Sequence, residues 1–309
     1  MKTFTDIVCP TPKGLYCPPG DFYIDPTRAS DRAVVTHGHS DHARAGHGSV
    51  LATKETLAIM AARYGADFTP SRQAARYGER HKIGDATVWL SPAGHVLGSA
   101  QAVIEAHGRR IVVSGDYKRR PDPTCAPFEP VACDVFITEA TFALPVFTHP
   151  TTEHEVKKLL ASVAMFPERA HVVGAYALGK AQRVMAELRR AGWDKPIYVH
   201  GALIALTELY KAHRVELGEV FLGQAGLGQV FAECNDDLDR AAAHAFDEFL
   251  KPPAGLRRGQ SEQLGASRVR VAIGGDEQAV GHGEARHDVV LLVDVEGGDQ
   301  AFREEEFFI

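Results

Sequence analysis

The chain has 309 residues, 45% of them apolar and 24% charged, with a formal net charge of -6. These values are ordinary for a soluble globular protein and exclude collagen-like, coiled-coil and wholly disordered chains. The acidic balance is not that of a passive nucleic-acid coat, although bound divalent metals and local arginine clusters can give a nucleic-acid enzyme its positive field.

At roughly 150 residues per domain, the length predicts about two domains. No apolar run reaches the roughly 18–20 residues of a membrane span, and the N-terminus lacks the apolar segment of a secretory signal. The five cysteines, Cys9, Cys17, Cys125, Cys133 and Cys234, are widely spaced without a CxxC. No disulfide framework is expected, and a reducing cytoplasm fits.

In chain order, the first half alternates β-branched runs with Gly/Pro turns. Arg32–Thr36, Thr87–Leu90, Gln101–Glu105, Arg110–Ser114 and Val135–Thr138 are predicted strands. Lys54–Tyr64 is a predicted helix, capped by Thr53 and stopped by Gly65. After Pro150 the texture changes. Thr152-x-x-Glu155 predicts a capping box opening a helix to about Met165. His171–Ala175 and Pro196–Val199 follow as strands, and Lys180–Ala191 and Ala202–Ala212 as helices. This alternation predicts a parallel α/β layer. Asp236–Leu250 has a helical pattern, Pro253–Asp288 is expected to be irregular, and Val289–Val295 is one more strand.

The chemistry concentrates in His37-Gly38-His39-Ser40-Asp41-His42, directly after a predicted strand. Imidazole and carboxylate are good ligands for zinc or manganese. Four ligands within six residues can hardly all surround one ion, so two adjacent metals use them better. His95 and Asp116 also end strands, and a carboxylate at Asp116 could bridge two ions.

This order, HxHxDH, then a lone His, then Gly-Asp after a strand, resembles the metallo-β-lactamase superfamily. Asp25, in YIDP, matches the Asp that orients the metal loop there. The stretches GLYCPPGDFYIDP, Glu139-Ala-Thr-Phe and GAYALGKAQ resemble the bacterial DNA-ligase-associated exonucleases, which are β-CASP nucleases. The resemblance implies an α/β fold, a metallo-β-lactamase αββα sandwich with an inserted β-CASP α/β domain. It implies a metallo-β-lactamase domain over 1–149, a β-CASP domain over 150–250, and an atypical C-terminal region over 251–309 whose strand could return to the first domain.

It further implies two divalent metals, zinc before manganese. His37, His39 and His95 would hold one, Asp41 and His42 the second, with Asp116 between them. Asp41, Asp116 and Glu139 would be the catalytic carboxylates, and an activated hydroxide would attack phosphorus. Lys180 and His200 are candidate substrate contacts, and Arg119, Arg120, Arg189 and Arg190 candidate phosphate contacts. The implied activity is a cytoplasmic DNA exonuclease of repair, partnered by a DNA ligase and with no membrane association. RNA is the rival substrate, and a nucleic-acid-binding protein without cleavage is a further alternative. A small-molecule hydrolase is disfavoured by the Glu139 motif and the extra α/β segment. After about Arg214 the family's Ser-Asp-His-Ala-Asp and Thr-His-Gly motifs are missing. His282 and His287 are the nearest substitutes, at unmatched spacing.

Overall fold

The computed structural model describes residues 3–141, 149–167 and 171–223, and the backbone of 271–272 and 289–293. Most of the C-terminal readings, including the helical pattern at Asp236–Leu250 and the two histidines His282 and His287, lie outside the described residues. The fold is mixed α/β and divides into two compact units.

The first unit contains two sheets. One is built from β1 (Cys9–Thr11), β2 (Gly14–Cys17), β3 (Phe22–Ile24), β4 (Arg32–Val34), β5 (Ser49–Thr53) and, after helix α1 (Lys54–Tyr64), β6 (Ser71–Ala75), in that spatial order. Pairing is antiparallel from β1 to β3 and parallel from β3 to β6. The other contains β7 (His81–Ile83), β8 (Ala86–Pro92), β9 (Ala100–Ala106), β10 (Arg109–Val113) and β11 (Val135–Ile137). It is antiparallel except for the parallel pair β10–β11.

The two sheets share one core. Phe22, Ile24, Val34 and Leu51 of the first meet Val88, Leu90, Ile104 and Ile111 of the second. Each such fully buried side chain contributes about 1.5–3 kcal/mol. The opposite face of the first sheet is covered by α1, through Leu57 and Met60 against Val35 and Val50. Thr53 caps α1 as predicted, its Oγ1 accepting from the Thr56 amide at 3.1 Å, and Gly65 ends the helix at φ +87°.

The second unit contains α2 (Thr152–Met165), β12 (His171–Ala175), β13 (Ile197–Val199), β14 (Val220–Leu222), β15 (Val271–Ala272) and β16 (Val289–Val293). Two further helices, α3 (Lys180–Arg190) and α4 (Gly201–Ala212), each give one portion to either unit. Residues Leu178–Ala186 and Ala205–Glu216 belong to the first unit. The strand order is β14-β13-β16-β12-β15, parallel except for β15.

Three expectations need correction. The α2 cap is Thr151, whose side chain accepts from the His154 amide at 3.3 Å, so Thr152 is already helical and no capping box with Glu155 forms. Strand β16 does not return to the first unit; it inserts between β12 and β13, where a β-branched apolar run suits a parallel strand. Val271–Ala272, inside the stretch expected to be irregular, pairs with β12. Among the described residues, no helix is long and apolar enough to cross a membrane, and Cys9, Cys17, Cys125 and Cys133 are free thiols.

Candidate metal centre

The ends of β4, β8 and β10 carry the site. Two glycines let these ends approach. Gly115, at φ +56°, sits where a Cβ would fall 2.6 Å from Thr36 Oγ1, and at Gly94, φ +73°, a Cβ would fall 2.4 Å from the Lys118 carbonyl. No other residue tolerates both that backbone and that contact.

His37, His39, His95 and Asp116 come together with one ligand atom each, all within 4.8 Å of one another. The three histidines are buried and Asp116 is partly exposed. His39 Nδ1 lies 3.3 Å from His95 Nε2. Asp116 Oδ2 is 3.8 Å from His37 Nε2 and 3.7 Å from His95 Nε2. Its Oδ1 instead faces His42 Nε2 at 3.4 Å. One carboxylate is thus shared between two histidine groups.

Second partners fix which ring nitrogens face inward. Thr36 Oγ1 donates its single proton to Asp25 Oδ2 at 2.6 Å, so His37 Nδ1, 3.0 Å away, must donate to Thr36. His37 Nε2 is left as the bare nitrogen. The Leu178 carbonyl can only accept, so His39 Nε2, at 3.3 Å, carries a proton and Nδ1 is bare. Asp25 also accepts the Thr36 amide at 2.8 Å and His42 Nδ1 at 2.8 Å. It thereby ties Thr36 and His42, at the two ends of the loop, to one carboxylate. Such outer partners are how proteins aim metal ligands.

Electrostatics point the same way. Burial alone would lower the His42 pKa, but hydrogen bonds to Asp116 and Asp25 reverse this and push it up to about 11. The two carboxylates thus favour positive charge at this point. The donor set, three imidazoles and a carboxylate with two tautomers pre-set, suits a divalent transition metal such as zinc.

The His95 loop is held rigidly. Ser99 Oγ accepts from the His95 and Val96 amides at 3.0 and 3.2 Å. Buried Tyr210 accepts from the Leu97 amide at 3.3 Å through its hydroxyl. Thr53 and Thr56 donate to the Gly98 carbonyl at 2.7 and 3.1 Å. On the first loop, Arg63 donates to the Gly38 carbonyl at 2.8 Å.

Other sequence-derived candidates have different local partners. Asp41 is 70% exposed and reaches the cluster through His42, at 3.6 Å. Glu139 accepts the Thr141 amide at 2.7 Å, closing the turn after β11. Lys180 is the first residue of α3. His200 precedes α4, and its Nδ1 accepts the Ala202 amide at 3.2 Å, a helix cap. Arg189 donates to the carbonyls of Leu217, Trp193, Lys195 and Glu219 at 2.6–3.0 Å. It is a structural clamp, which corrects its reading as a phosphate contact. Arg190 pairs with Glu187 at 3.6 Å. His47, five residues beyond His42, is a core residue bonded to Ser30 at 3.2 Å, its pKa lowered by burial.

Sequence reasoning missed Thr36, the Leu178 carbonyl, Ser99 and Tyr210. Thr36 immediately precedes HxH and was in principle findable. A backbone carbonyl leaves no sequence signal.

No family model matches the chain. The chain is 30% identical over 207 residues, 64% of its length, to a protein of Opitutus terrae described as a probable DNA ligase. It is 25% identical over 214 residues, 60% of its length, to an RNase J-like protein of Methanocaldococcus jannaschii. It is 34% identical over 140 residues, 42% of its length, to the endoribonuclease YSH1 of Gibberella zeae. These matches span 19%, 51% and 17% of the three relatives' own lengths.

Proposed function

We propose that this chain, which has homologues among the metallo-β-lactamase/β-CASP nucleases, is a metal-dependent phosphodiesterase that cuts DNA as an exonuclease. The observation that carries the reading is the Asp116 carboxylate, with one oxygen toward His37 and His95 and the other toward His42. That placement suits two ions side by side. His37, His39 and His95 would hold one, Asp41 and His42 the other, and Asp116 would serve both. Zinc is the favoured metal and manganese the alternative.

Bound divalent metals supply a water of near-neutral pKa and neutralise charge on phosphoryl oxygens. The chain's own residues do the rest. Thr36 and the Leu178 carbonyl hold two imidazoles in the ligating tautomer. Asp25 holds the His42 ring. Glu139 would position or move a proton at the scissile phosphate. Lys180, at the start of α3, would take a backbone phosphate, with His200 a weaker substrate contact.

The reading includes an αββα sandwich over 1–149, a β-CASP domain over 150–250 and an atypical region over 251–309. It places the protein in the cytoplasm, in repair alongside a DNA ligase. The ligase relative supports DNA. The RNase J-like and YSH1 relatives favour RNA as the second reading, with the same residues and chemistry.

The test is metal content per chain by mass spectrometry, combined with turnover of matched DNA and RNA oligonucleotides. Two metal equivalents and chelator-sensitive DNA cleavage are expected. Cleavage of RNA alone would replace the substrate. Salt-dependent binding without cleavage of either polymer would overturn the enzyme reading and leave a binding protein.

A further inference from the structure

Beside the site lies a buried charge cluster that the ligand set does not use. The Asp122 side chain is 2% exposed and that of Lys118 9%. Lys118 Nζ forms an ion pair with Asp122 Oδ2, and Arg183 Nε lies 3.6 Å from the same oxygen. Asp122 Oδ1 accepts from the Thr124 amide and hydroxyl at 2.9 and 2.6 Å.

Burying ions costs several kcal/mol each, and well-packed apolar side chains of similar volume are often no less stable. Loop stability alone therefore does not account for this cluster. What it fastens does. Lys118 stands two residues after Asp116. Its amide donates to the Ala93 carbonyl at 2.9 Å, and its Nζ reaches the His95 carbonyl at 3.5 Å. Arg183 lies in the first turn of α3, and Leu178, just before that helix, accepts the His39 Nε2 proton. Three segments that set ligands are therefore tied to one carboxylate, two of them through Lys118.

We propose that Asp122 is a positioning residue of the metal centre. Through Lys118 it holds the Asp116 and His95 segments, and through Arg183 the start of α3 that fixes the His39 tautomer. This rests on reading the His37–Asp116 cluster as a metal centre. Asp122 touches neither metal nor substrate.

The experiment uses the full chain carrying Asp122→Asn, which removes the charge and keeps the shape. Metal affinity is measured by chelator competition, and ligand geometry by the absorption of the Co2+ form. Both are read well below the measured Tm. A folded variant with about tenfold weaker metal affinity and an altered Co2+ spectrum is expected. A folded variant with the parent's affinity and spectrum overturns the proposal. If Asp122→Asn does not fold, Arg183→Met and Lys118→Met decide, each removing one arm of the cluster. Weakened affinity in either supports the proposal, and unchanged affinity in both overturns it. His37→Ala runs in parallel. If that variant binds metal like the parent, the metal-centre reading itself fails, whatever Asp122 does.

Discussion

Among the described residues, the polar side chains of the two units show two different uses. In the first, side chains reach across to other segments. Asp25 holds Thr36 and His42, Ser99 holds the His95 amide, and Tyr210 holds Leu97. In the second, His200 caps the helix it precedes, and Arg189 clamps four backbone carbonyls, two of them 28 and 30 residues along the chain. A residue at a strand end is a credible ligand when other segments spend bonds to aim it. Where a side chain spends its bonds on backbone, as Arg189, His200 and Glu139 do, those bonds hold the local fold.

The most direct way to break this contrast is Asp116→Ala. Its carboxylate is shared by two histidine groups, so the loss should fall first on activity. Nuclease turnover should fall by more than about a hundredfold. A variant that keeps full activity would sink the mechanism. A core change should do the reverse. Leu90→Ala, at the shared core of the two sheets, should cost about 2–5 kcal/mol in urea unfolding.

Arg189→Met sharpens the contrast in the second unit. It leaves several carbonyls without their donor, at a cost of about 1–3 kcal/mol. The slope of log K against log salt for oligonucleotide binding should not change. A slope smaller by about one would return Arg189 to the phosphate contacts.

The four residues that gather at the site were all legible in the sequence. Two imidazoles one residue apart after a β-branched run, a lone His after Ala-Gly, and Asp after Gly are a pattern that chain chemistry alone rarely produces. Strands β4, β8, β9, β10 and β11 and helix α1 were legible from apolar runs and, for α1, a Thr53 cap, whereas β5 to β7 were not read. The short N-terminal strands β1 to β3 were not, because three or four residues give no period. The place of β16 was not either. An apolar run announces a buried parallel strand, but nothing in it says which sheet will bury it. Arg189 failed for a related reason. The sequence shows a charge next to a charge, while the carbonyls it binds belong to residues up to 30 positions away.

Acid should weaken the first unit through Asp122. Burial pushes its pKa up, but Lys118 and Arg183 outweigh that and hold it below the ordinary value of 3.8. A carboxylate with a depressed folded pKa stabilises fully above the unfolded value and loses that contribution as pH falls through the folded one. Unfolding free energy should therefore drop as pH falls below about 4, and the Asp122→Asn curve should be flatter there. Parallel curves for the two proteins would mean that Asp122 is not ionised against Lys118.

The smallest effect expected is at His200. Its Nδ1 accepts the Ala202 amide, one of the first amides of α4 that have no acceptor within the helix. His200→Ala should cost about 0.5–1 kcal/mol, in the range of a lost N-cap. His200→Asn should restore most of it, since Asn is a strong cap. Neither change should alter metal content. The substrate role and the cap role then separate cleanly. If His200→Asn matches the parent in stability but loses tenfold or more in kcat/KM, the imidazole meets the nucleic acid. If both stability and kcat/KM are restored together, the ring serves α4 alone.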